Sequence, residues 1–213
     1  MLPIALQRAI MLNVVRRLGI MGGTFDPIHY GHLRIAELAR EAFALDQVVF
    51  VPNGRPAHKD NSAVGSARAR LAMTELAVAS NPRFACSRME FDRAGPSYAI
   101  DTVRGFRRLY PHLDALCFIT GADTIREIFT WHQARQLMQE CQFIAVTRPG
   151  FDNADLHGLE ESALPSCSYL AAPGLEISST DLRRRVRAGL SIKYLVPEAV
   201  EEYIRREGLY GKP

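Results

Sequence analysis

Two histidines, His29 and His32, stand one helical turn apart behind a glycine pair, in the run Gly22-Gly23-Thr24-Phe25-Asp26-Pro27-Ile28-His29-Tyr30-Gly31-His32. Imidazoles so placed donate hydrogen bonds to phosphate oxygens and stabilise the charge that shifts during group transfer. Glycine lets the backbone approach a ligand without a Cβ clash. A helix expected to start near Gly31 aims its free N–H groups and positive dipole end at the same loop. Together these features make an anion site, and phosphate is the usual anion. The competing reading is a surface histidine pair beside an ordinary turn, which the preceding strand and the G-G-T-F-D-P run make the weaker one. A dinucleotide fingerprint fits worse, because Gly19-Ile20-Met21-Gly22-Gly23 is not G-x-G-x-x-G. No third ligand is spaced to join the histidines around zinc, so no residue is assigned to a metal.

A second cluster lies far downstream. Ile177, Ser178, Ser179 and Thr180 precede Asp181-Leu182-Arg183 and a helical pattern. Serine or threonine at a helix N-cap satisfies orphan N–H donors, which explains the hydroxyls without any ligand. With Arg183 one turn inside the helix, the same residues also form a phosphate clamp, since arginine offers bidentate donors that lysine lacks. Two anion sites are what a triphosphate requires. Arg184, Arg185 and Arg187 read as a solvated helix face.

These residues must be held by a scaffold, and the hydropathy pattern supplies one. Strands are expected over 16–21, 47–51, 84–87, 115–120, 143–147 and 168–171, and helices over 31–44, 66–80, 98–110 and 123–139, with further helices after Thr180. Alternation of this kind implies an α/β, Rossmann-like, doubly wound, mainly parallel sheet with helices on both faces and a small C-terminal helical part. Ligands of such sheets sit beyond the carboxyl ends of the strands. Three loops stand out there: 52–65, which is polar and carries His58 and Lys59; 149–165, which is acidic; and 174–180, which leads into the C-terminal helices. Residues 1–14 read as an N-terminal extension, with Met11 an alternative start, and 15–213 as one domain.

Composition bounds the rest. The chain has 213 residues, 47% hydrophobic and 23% charged, with a net charge of +3. That suits one globular domain and is too weakly basic for nucleic acid as a bulk partner. Cys86, Cys117, Cys141 and Cys167 are scattered through apolar runs and read as buried, reduced thiols of a cytoplasmic protein. No apolar run approaches the ~20 residues that span a bilayer, so no membrane association is expected. Homodimerisation is left open.

The first motif resembles the G-x-F-x-P-x-H-x-G-H signature of the nucleotidyltransferase superfamily, and the second resembles its I-S-S-T-x-x-R motif. Further segments resemble the bacterial nicotinate mononucleotide adenylyltransferases. They are Pro52-Asn53 with Pro56-Ala57-His58-Lys59, Gly95-Pro96-Ser97-Tyr98-Ala99-Ile100-Asp101-Thr102, Gly121-Ala122-Asp123 with Trp131, Arg148-Pro149-Gly150, and a tail running from Tyr194 through Tyr210. Ala57 and Ala99 depart from the usual proline and threonine.

The resemblance implies adenylyl transfer from ATP to nicotinate mononucleotide, with Mg²⁺ held mainly by phosphates and water. It implies His29, His32, Lys59 and Arg183 as the catalytic cations and donors. ATP would meet Gly22, Gly23, Thr24, Phe25, both histidines, Ile177, Ser178, Ser179, Thr180 and Arg183. The mononucleotide would meet Thr24, Lys59, Ala99, Thr102, Asp123, Trp131 and His132. Within that picture the backbone N–H groups of Ala99 and His132 serve the pyridine carboxylate, and Trp131 stacks on the ring. Rival readings are pantetheine-phosphate adenylyltransferase, which lacks the G-A-D…W segment, a nicotinamide-preferring enzyme, and a non-catalytic nucleotide sensor.

Overall fold

The computed structural model describes residues 15–55, 65–147, 167–172 and 176–211. The extension 1–14, His58, Lys59 and residues 148–150 lie outside the described residues.

Six strands form one sheet: β1 (Arg17–Gly23), β2 (Gln47–Pro52), β3 (Phe84–Cys86), β4 (Ala115–Gly121), β5 (Gln142–Thr147) and β6 (Cys167–Ala171). Their order is β3-β2-β1-β4-β5-β6, and all five pairings are parallel. The doubly wound expectation therefore holds. β2 reads Gln-Val-Val-Phe-Val-Pro and is buried at every position, as a strand covered on both faces must be. The strand order reverses direction between β1 and β4, so the crevice of such a sheet opens between their carboxyl ends.

Helices cover both faces. α1 (Tyr30–Ala42), α2 (Ala67–Val78), α6 (Ser179–Arg187) and α7 (Glu198–Arg206) contribute Ala36, Ala39, Met73, Leu182, Val200 and Ile204 to the core that holds Met21, Val48, Phe50 and Ile119. α3 (Ala99–Leu109), α4 (Ala122–Arg126) and α5 (Ala134–Glu140) contribute Ile100, Val103, Ile125 and Leu137 to the opposite core, with Leu18, Ile20, Val49 and Phe118. Alternate residues of the same strands thus feed two cores, as the pleat dictates. The C-terminal helices lie on the α1/α2 face and share its core.

Two expectations need correction. The single helix over 123–139 is instead α4, a 3-10 turn at Ile128–Thr130, and α5. Trp131 is extended (φ −74°, ψ 148°) and Gln133 is left-handed (φ 52°, ψ 42°). The bend lets Ile128 and Leu137 both reach one core while Trp131 turns its ring onto the edge of Phe118 at 5.8 Å. The cysteines are free, but only Cys117 and Cys141 are buried; Cys86 and Cys167 lie half-buried on the two edge strands. Among the described residues no helix is long and apolar enough to cross a membrane.

Candidate active site

The histidine turn forms where β1 ends. Gly23 has no room for a side chain, because a Cβ would lie 2.8 Å from the Phe25 ring. Phe25 is 3% exposed and occupies the left-handed region at φ 50°, a conformation that a bulky residue holds only when its surroundings enforce it. His29 is the N-cap of α1, and its ring stacks on that of His32 with centroids 3.7 Å apart. The His29 N–H donates to His32 Nδ1 at 3.3 Å. In neutral His32 the ring hydrogen then belongs on Nε2, which becomes its donor. Phe25 meets the His32 ring edge-on at 5.1 Å and fixes its plane.

The downstream cluster docks on this turn. Ser179 donates its hydroxyl to the Pro27 carbonyl at 2.9 Å, across 152 positions. Arg183 donates from Nη1 to the Asp26 carbonyl at 2.7 Å and from Nη2 to Thr180 Oγ1 at 3.4 Å. Ser178 caps α6, accepting from the Asp181 N–H at 3.1 Å. The Ser179 hydroxyl, expected to face phosphate, thus also holds the second motif to the first, and Arg183 docks on the same turn at Asp26.

Next to the turn lies a cavity of about 390 Å³, at the carboxyl ends of β1 and β4. Gly22, Gly23, Thr24, Ala99, Thr102, Trp131 and His132 all line it, so most of the expected mononucleotide residues converge. The Ala99 N–H belongs to the first turn of α3, where donors lack partners within the helix. His132 stacks on Tyr98 with centroids 4.3 Å apart, closing that wall. Asp123 is exposed in the first turn of α4 and is not a lining residue; Thr124 and Glu127 stand on the wall instead.

Four groups at the site escaped the sequence reading. Asp26 is 4% exposed and accepts from the Tyr210 phenol at 2.5 Å and the Gly65 N–H at 3.0 Å, with Arg183 Nη1 at 3.8 Å from the same carboxylate. Burial, followed by the bond to Asp26, holds the Tyr210 phenol well above the ordinary tyrosine range. Arg70 is 2% exposed and donates to four backbone carbonyls. Glu90 lines the cavity at 6% exposure and accepts from Thr102 Oγ1 at 2.7 Å. Burial pushes its pKa above the ordinary glutamate value, opposed by that hydrogen bond and by one with Ser97. Only Asp26 and Tyr210 had a sequence signal, being parts of the two resembling segments; nothing local in Ala-Arg-Ala-Arg or Met-Glu-Phe-Asp sets Arg70 or Glu90 apart from other charged residues.

A parallel sheet whose switch point carries a glycine turn, stacked histidines and a docked arginine defines a nucleotide-binding α/β protein of the phosphate-transfer type. The model of the cytidylyltransferase-like family matches residues 20–185. A relative from Moorella thermoacetica, named a probable nicotinate-nucleotide adenylyltransferase, is 57% identical over 201 residues and 91% of both chains. One of the same name from Thermus thermophilus is 50% identical over 194 residues, covering 91% of this chain and 99% of the relative. Among solved structures, the Plasmodium falciparum nicotinic acid mononucleotide adenylyltransferase complexed with NaAD superposes with a TM-score of 0.75 at 21% identity, over 92% of this chain and 97% of that one. The chain belongs to the cytidylyltransferase-like family and, within it, to the nicotinate-nucleotide adenylyltransferases.

Proposed function

We propose that this chain transfers the adenylyl group of ATP to nicotinate mononucleotide, yielding nicotinate adenine dinucleotide and pyrophosphate on the route to NAD. The observation that carries the reading is the docking of Ser179 on Pro27 and of Arg183 on Asp26, which joins two phosphate motifs beside one cavity lined by Trp131. A mononucleotide phosphate oxygen attacks the α-phosphorus of ATP, the bond to the β-phosphate oxygen breaks, and pyrophosphate leaves. The attacking phosphate is already an anion, so no general base is required. The chain's task is in-line positioning and neutralisation of crowded negative charge.

His29, His32 and Arg183 donate to the triphosphate, Lys59 adds a cation, and the backbone at Thr24 and Phe25 meets phosphate oxygens. Ile177 to Thr180 flank the same anion. Trp131 stacks on the pyridine, Thr102 closes its wall, and the Ala99 and His132 N–H groups receive the carboxylate. Asp123 serves ribose or solvent at the rim. Magnesium, bound as the nucleotide complex, supplies further neutralisation of the phosphates. The donor set fits that role: the groups at the turn are hydrogen-bond donors, and the nearby Asp26 carboxylate is engaged by Tyr210 and Gly65, so phosphate and water would hold the ion. Four free thiols support residence in a reducing cytoplasm.

The test is pyrophosphate release from ATP with nicotinate or nicotinamide mononucleotide supplied separately. Release with the acid at a much higher rate than with the amide is expected. Equal rates would remove the acid preference, and no release with either would overturn the reading.

A further inference from the structure

We propose that Glu90 is a specificity-determining residue, whose carboxyl takes up a proton when the cavity receives a pyridine carboxylate and not when it receives the neutral amide. The inference deepens the functional reading above and rests on it for the two mononucleotides; the rest is geometry. Glu90 stands between β3 and α3. Its backbone carbonyl backs onto the exit of β2, where a Cβ on Gly54 would lie 2.4 Å from it. Its side chain is 6% exposed and lines the same cavity as Ala99, Trp131 and His132. Oε1 accepts from the Thr102 hydroxyl at 2.7 Å, whereas Oε2 is buried with no hydrogen-bond partner among the described residues.

An ionised carboxylate accepts at both oxygens, so burying one with an empty oxygen favours the neutral acid, its proton on Oε2. Arg93 and Arg70 oppose this through space, but neither forms an ion pair with Glu90 among the described residues. Arg55 and Asp92 share the cleft on the other side of Glu90. Burial outweighs these charges, and the carboxyl titrates above the ordinary glutamate value. The other titratable groups on the cavity lining are Tyr98, Glu127 and His132, of which the last two are exposed and screened by water. Among the described residues no arginine or lysine lines the cavity. A substrate carboxylate there meets N–H donors and no cation. It shares about 390 Å³ with the Glu90 carboxyl, and two carboxylates in one site repel until one is protonated. Both mononucleotides carry a cationic ring and a phosphate, so only the charge of the ring substituent differs between them. A proton drawn from solvent onto Glu90 removes the repulsion for the acid and changes little for the amide. By linkage, the acid gains affinity over the amide as pH falls.

The experiment is calorimetric titration of the full chain with nicotinate or nicotinamide mononucleotide, in pairs of buffers of different ionisation enthalpy, from about pH 5 to 8. The buffer pairs count protons taken up on binding. Greater uptake with the acid than with the amide is expected, and the ratio of acid to amide affinity should fall about tenfold across that range. Glu90→Gln, which cannot take the proton, should abolish the excess uptake and hold the ratio within about twofold. Glu127→Gln and His132→Asn should retain both effects, which identifies Glu90 even where its own variant does not fold. Loss of the excess in either of those two variants, or its survival in Glu90→Gln, overturns the proposal. So does equal uptake with the two ligands, while pyrophosphate release then leaves the functional reading standing. Binding of neither mononucleotide sinks both.

Discussion

Tyr210 donates its phenol to Asp26 at 2.5 Å, 184 positions earlier, and that carboxylate also receives the Gly65 N–H and faces Arg183. A tyrosine outside the cavity lining thus supports the aspartate around which the phosphate turn is folded. Tyr210→Phe removes one donor from a buried carboxylate and should cost about 1–3 kcal/mol in urea unfolding. Its pH dependence has a definite sign. The phenol titrates higher in the folded chain than in the unfolded one, so its contribution is complete below about pH 10 and is lost as pH rises beyond that. The stability gap between wild type and Tyr210→Phe should therefore stay constant below about pH 10 and narrow as pH rises above it; a gap that widens there would contradict the assignment.

If the His32 ring donates to the transferring phosphate as proposed, His32→Ala should lower kcat by about 10²–10³-fold with an unchanged melting temperature, since the ring is only half-buried. Steady-state kinetics and a thermal melt on the same preparation decide it. Wild-type turnover in this variant would remove His32 from the catalytic set.

Trp131→Ala should act on one substrate. The ring sits in the cavity wall, edge-on to Phe118, so losing its face is expected to raise KM for nicotinate mononucleotide about tenfold. KM for ATP should stay within about twofold. A larger change for ATP than for the mononucleotide would place the ring elsewhere in the reaction.

Glu90→Gln tests a carboxyl that burial pushes towards its neutral form. Ionising this group is more costly in the folded chain than in the unfolded one, so the wild type loses stability through it as pH rises above the ordinary glutamate value of 4.5. The glutamine variant should match wild type below that pH and exceed it at pH 7 in urea unfolding. A variant less stable at pH 7 than at pH 4, relative to wild type, would refute the burial argument.

The strands and the two phosphate motifs were legible because their signals are local. Short apolar runs between polar ones mark strands, and Gly-Gly before a histidine pair marks a turn. That the two motifs serve one site was legible only as a requirement of triphosphate chemistry, and the bond from Ser179 to Pro27 that joins them was not legible. The bend at Trp131 to Gln133 was not legible: Ala122 to Glu140 contains neither glycine nor proline, and the break is imposed by cores and cavity that composition does not describe. Arg70 was invisible for a related reason. Nothing in its neighbours distinguishes it from a solvated helical arginine, and its burial depends on carbonyls 17 and 46 positions away.

The bonds from Ser179 to Pro27 and from Arg183 to Asp26 span 152 and 157 positions, and that from Tyr210 spans 184. Contacts of such separation are the slowest to form, since loop closure must precede them. During synthesis the chain emerges from its amino end, so the strands of the switch point leave the ribosome well before the arginine and the tyrosine that complete the turn. The helices that carry or precede these partners also supply Leu182, Val200 and Ile204 to the core under the sheet, so the contacts that complete the turn form together with the packing of that face.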